Sequence, residues 1–147
     1  MNIVSICRAM MEDGLYPHLE KNHVLFNIDD NPATLEYEAG IMTVRIFFSI
    51  DEDSYEMFLK AGNATMTGTI GVKPVVLSER KILMFSSETM CDTLKEFRKF
   101  LPKSIELIRD AVTVHRHEMK SLLEESMLYK DLYSHDDEYD TAHKFCS

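Results

Sequence analysis

The sequence predicts a single α+β domain built from a helix, a three-stranded antiparallel meander, a second helix, a two-stranded hairpin and a long C-terminal helix. Apolar residues recur at helical spacing near both ends of the chain. They alternate with polar ones over residues 23–50 and again in two runs within 72–85, and turn residues mark each change of period. A length of 147 residues with 45% hydrophobic content suits one ordinary core and is short for two.

Ile3, Ile6, Cys7, Met10 and Met11 fall on one helical face, and Gly14 and Pro17 end the run, which predicts a helix over residues 2–13. From His23 the period becomes two: Val24, Phe26 and Ile28 alternate with Leu25 and Asn27 as far as the turn cluster Asp29-Asp30-Asn31-Pro32. Leu35 and Tyr37 alternate with Glu36 and Glu38, and Ala39-Gly40 breaks that run. Met42, Val44, Ile46, Phe48 and Ile50 then give the cleanest alternation in the chain. The opposite face of this last strand carries Ile41, Thr43, Arg45, Phe47 and Ser49, a mixed set suited to water or to a covering partner.

Asp53 with Glu56 three residues on resembles a capping box, so a second helix is expected to start there. Its apolar face continues through Tyr55, Phe58, Leu59, Gly62 and Met66, with Gly62 and Gly68 weakening it. Val72–Leu77 and Lys81–Phe85 are β-rich runs separated by Ser78-Glu79-Arg80 and read as a hairpin, and Pro74 assigns its strand to a sheet edge. Leu94, Phe97, Leu101, Ile105, Ile108, Val112, His115, Met119 and Leu122 advance by threes and fours, which is one long helix or two meeting near Pro102. The domain is expected over residues 1–125, with an acidic, aromatic-containing tail over 126–147.

The formal charge of −9 repels phosphate backbones and anionic lipid, which argues against nucleic acid and membrane as partners. Cys7, Cys91 and Cys146 are odd in number and widely spaced, so reduced thiols in a cytoplasm are expected rather than a disulfide framework. The first residues lack a basic stretch leading into an apolar core, and no run is apolar for long enough to span a bilayer. The sequon at Asn63 is therefore expected to go unused.

Several residue groups resemble chemistry without completing it. Ser78 and Lys81 form an S-x-x-K string, but in a hairpin turn rather than at a helix start, and without an evident triad partner. His115 and His117 point roughly 200° apart on a helix and cannot share a metal; His115 falls on the apolar stripe and reads as a core or interface histidine. His135, Asp136, Asp137, Glu138, Asp140 and His143 lack a calcium-loop glycine and zinc-helix spacing. Cys91 precedes the long helix, where a helix N-terminus can lower a thiol pKa, yet no histidine is near it in sequence. Lys95, Arg98, Lys99 and Lys103 read as a solvated helix face. No phosphate-binding glycine motif and no H-E-x-x-H occurs. No catalytic, metal or cofactor residue is assigned.

The order helix, three strands, helix, two strands, long helix, over residues 2 to about 125, resembles the type III secretion chaperone-like fold, also seen in YbjN-type proteins of bacteria. That resemblance implies a small acidic homodimer without cofactor or catalytic residues, holding a protein partner against apolar surface and strand edges. It puts the candidate partner-binding residues at Leu25 and Phe47 on the outer sheet face and at Tyr55, Phe58 and Met66 on the second helix. The expected function is thus a non-catalytic protein-interaction module, chaperone-like or adaptor. The alternative is a small-molecule-binding or regulatory domain with a pocket between sheet and long helix, lined by aromatics and His115.

Overall fold

A computed structural model describes residues 1–69 and 71–133. The acidic tract His135–His143 and Cys146 lie outside the described residues, as does the side chain of Ser78 in the S-x-x-K string. The elements are α1 (Ile3–Glu12), β1 (His18–Glu20), β2 (His23–Ile28), β3 (Asn31–Glu38), β4 (Ile41–Ser49), α2 (Tyr55–Gly68), β5 (Lys73–Leu77), β6 (Ile82–Met90) and α3 (Leu94–Tyr133). This is the α+β arrangement expected from the sequence.

Meander and hairpin join into one antiparallel sheet, in the order β1-β2-β3-β4-β6-β5 among the described residues. The seam is the longest pairing in the fold, running from Ile41 opposite Met90 to Ser49 opposite Ile82. Two of the three two-residue hairpins turn on a pair of left-handed residues, Asp29 (φ 51°) with Asp30 (φ 66°) and Ala39 (φ 52°) with Gly40 (φ 77°). That backbone twist matches the right-handed twist of the strands it joins. Glycine is needed at position 40 for a second reason: a Cβ there would stand 3.1 Å from Asp92 Oδ1. Pro74 lies on the edge strand β5, where a missing N–H costs little.

Two features differ from expectation. Strand β1 is an addition to the three-stranded meander; its three residues are all exposed, so no apolar alternation marked it. The Asp53 capping box does not form. Asp53 sits in a short 3-10 turn, Glu52–Ser54, and the N-cap is Ser54, whose backbone (φ −102°, ψ 2°) is not the extended one that aims a cap side chain at the helix, so it makes no capping bond. A reciprocal box forms instead at α1, where Asn2 Oδ1 accepts from Ser5 N at 2.8 Å and Ser5 Oγ accepts from Asn2 N at 3.0 Å. Of the two readings open for the last helix, the single long one is found: α3 is continuous through Pro102, from Leu94 to Tyr133. At 1.5 Å per residue it is about 60 Å long.

Alternate residues of the strands turn one face to the helices. Val24, Phe26, Ile28, Ala33, Leu35, Met42, Val44, Ile46, Leu83 and Phe85 form one buried cluster with Ile6 and Met10 of α1 and Phe97, Leu101, Ile105 and Ile108 of α3. Helix α2 packs on α3 and on β5, and its Ala61, Gly62 and Thr65 are buried. The helices therefore form a single layer on the inner face of the sheet.

Candidate binding surfaces on the two faces of the sheet

The outer face takes its side chains from the other half of each strand alternation. Phe47, Met84 and Val75 stand opposite one another across β4, β6 and β5, and Ile82 and Leu77 follow in the next row. All five are only half-buried. Beside them the face turns polar: Arg45 Nη1 meets Glu36 Oε1 at 3.0 Å, and Thr34, Ser86 and Lys73 complete the Arg45 row. Leu25 also lies on this face, opposite Thr34, separated from Phe47 by β3. No described helix covers this surface.

The strand edges are blunt by comparison. β1 has three residues, and β5 has five with Pro74 second. Short edges and an edge proline offer little ladder for an added strand.

A cavity of about 710 Å³ opens on the inner face, between the ends of β4 and β6, the start of α2 and the middle of α3. Its apolar lining is Phe48, Phe58, Leu83, Phe85, Val112, Met119 and Leu123, and its polar lining is Ser49, His115, Arg116 and Lys120. The α3 members recur at steps of three and four, so one helical face serves the whole wall. Here the apolar stripe of α3 changes role. From Phe97 to Ala111 its residues are buried in the core, whereas Val112 and Met119 are half-buried because they border open space.

His115 is the floor of this cavity. It is 3% exposed, stacked on Phe58 (centroids 5.9 Å apart, 22° between planes) and met edge-on by Phe85 (5.5 Å, 87°). Burial pushes its pKa below the usual imidazole value, against the upward pull of a hydrogen bond to the Phe58 backbone and of Glu118. Its Nε2 has no partner, the only buried side-chain nitrogen or oxygen in that state among the described residues.

The residues singled out from the sequence are thus divided. Leu25 and Phe47 share the outer face. Phe58 lines the cavity, Tyr55 packs beside it on the core, and Met66, half exposed, lies near Lys73, Ser86 and Glu88 at the start of β5. Phe85, Met119, Arg116 and Lys120 converge with His115, and no motif in the chain marks them as a group. The thiol of Cys91 is 1% exposed, and burial, with Glu96 and Asp92 beside it, pushes its pKa up. That is the reverse of a thiolate activated by a helix start, because the thiol is buried and, to a lesser degree, because acidic residues stand beside it. Among the described residues no three His, Cys, Asp or Glu side chains converge as metal ligands, and no helix is long and apolar enough to cross a membrane.

No protein-family model matches the chain, and no curated protein matches it. Solved structures do. YbjN of E. coli, a proposed transcription regulator, superposes with a TM-score of 0.67 at 10% identity, covering 82% of this chain and 94% of that one. An uncharacterized protein from Methanothermobacter thermautotrophicus gives a TM-score of 0.57 at 14% identity, covering 82% and 98%. At such identities the likeness establishes the fold alone. It supports the YbjN side of the expected resemblance, and neither structure is described as a type III secretion chaperone.

Proposed function

We propose, from the premise of a YbjN-like fold, that this chain is a non-catalytic interaction module that pairs with a second copy of itself through the outer face of the sheet. One observation carries this reading: with the described helices on the inner face, the rows of Phe47, Met84 and Val75 and of Ile82 and Leu77 stay incompletely buried in one contiguous patch. Contiguous apolar surface rimmed by polar groups is characteristic of interaction sites. The rim carries both signs of charge in Arg45, Lys73, Glu36 and Glu88, as a two-fold self-complementary interface requires. Blunt strand edges favour face packing over the addition of a strand. The buried thiols Cys7 and Cys91 suit a reducing cytoplasm, and the raised pKa of Cys91 speaks against a nucleophile there.

The test is sedimentation velocity at micromolar concentration on the full chain and on Phe47→Glu. The expected result is a dimer that becomes a monomer in the variant with its circular dichroism unchanged. A wild-type monomer, or a variant that stays dimeric, would refute the reading.

A further inference from the structure

The cavity over His115 is too large and too incompletely finished to be ordinary core. Its volume of about 710 Å³ falls within the range of small-molecule sites, roughly 300–1,000 Å³. Its lining combines three phenylalanines and four aliphatic or thioether side chains with two cations and no carboxylate, in a chain whose net charge is −9. Arg116 and Lys120 stand one turn apart on α3, both exposed, and the ion pairs among the described residues engage neither. By contrast Arg45, Arg98 and Arg109 each hold a carboxylate. A second observation is independent of charge. The floor residue His115 is almost fully buried, yet its Nε2 has no partner among the described residues, whereas buried polar atoms are nearly always satisfied.

We infer that this cavity binds an organic acid with an apolar body, its carboxylate held at the rim by Arg116 and Lys120 and its body lying between Phe48, Phe58 and Phe85 above His115. The apolar walls and the cationic rim then each have their counterpart. The apolar walls lose water, the two cations gain an anion, and neighbouring acids such as Glu118 are absent from the lining. Aromatic walls accept a flat or flexible apolar body equally, so selectivity rests on the sign of the head group.

The site lies on the face of the sheet opposite the proposed pairing surface, so the two ideas fail separately. The experiment uses the full chain and anilinonaphthalene sulfonate, an anion with an apolar body whose fluorescence rises on binding. Decanoate is expected to displace it, decanol to do so about tenfold more weakly, and decylamine to fail. Replacing both cations (R116Q with K120Q) removes two exposed charge contacts and is expected to weaken decanoate about tenfold while leaving decanol unchanged. Met119→Trp, which fills the cavity from a half-exposed helix position, is expected to abolish displacement, and Phe47→Glu on the other face to leave it intact. Equal displacement by decanoate and decylamine would overturn the inference, as would undiminished decanoate binding in either cavity variant or no saturable binding to the folded wild type.

Discussion

His115 makes the stability of the fold depend on pH in a way that can be computed in sign and bounded in size. Burial lowers its folded pKa below the reference value of 6.5, so between those two values the unfolded chain binds one proton more than the folded chain. Stability therefore rises with pH across that window; this contribution is complete above about pH 6.5 and declines as the pH falls through the window. One proton of difference gives a slope of at most about 1.4 kcal/mol per pH unit. In His115→Phe the ring shape is kept and both nitrogens go. Losing the unsatisfied Nε2 removes a penalty of about 1–3 kcal/mol, and losing the bond to the Phe58 backbone costs about 1 kcal/mol. At pH 7.5 the variant is thus expected to lie between unchanged and about 2 kcal/mol more stable. Its stability profile should be flatter below pH 6.5 by up to the single-proton slope. Urea unfolding of both proteins at half-unit steps from pH 5 to 7.5 gives both quantities. Parallel profiles would show that His115 is not buried as a neutral imidazole, and a variant destabilised by more than 2 kcal/mol would show that Nε2 has a partner.

Other outcomes follow from the packing. Phe97→Ala empties a fully buried position where α3 meets the sheet and is expected to cost about 3–5 kcal/mol in chemical denaturation. Pro102 lies inside α3 on an exposed position, so Pro102→Ala restores a backbone donor and should stabilise by about 1–3 kcal/mol unless a bend there is needed for packing; a loss of stability would demonstrate that need. Arg109 grips Asp29 at the β2–β3 turn with two bonds of 2.8 and 3.0 Å, but both groups are about half exposed. Arg109→Ala should therefore cost no more than about 1 kcal/mol, with the difference shrinking in molar salt. Gly40→Ala combines a positive φ with a close approach to Asp92 and should lose about 1–2 kcal/mol, seen as a lower melting temperature.

What the sequence determined by itself is the set of elements. Period and punctuation sufficed for α1, β2, β3, β4, the hairpin and the edge position of Pro74, because apolar spacing and turn chemistry are local properties. The stripe on α3 was legible for the same reason, and His115 stood out on it. β1 was not legible, since three exposed residues leave no apolar side-chain pattern. The Asp53 box failed because a cap depends on backbone angles that a residue string does not fix. What tertiary structure alone decided is the site. The resemblance put Leu25 and Phe47 on the outer sheet face and Tyr55, Phe58 and Met66 on the second helix, and only the packing of α2 against α3 and β5 decided where that helix stands relative to the sheet. The pairing of β6 with β4 brought Phe48 and Phe85 to His115, residues far apart in the chain with no motif between them. Which apolar residues fill the core and which border an opening is set by how the layers close, and that is information no local period contains.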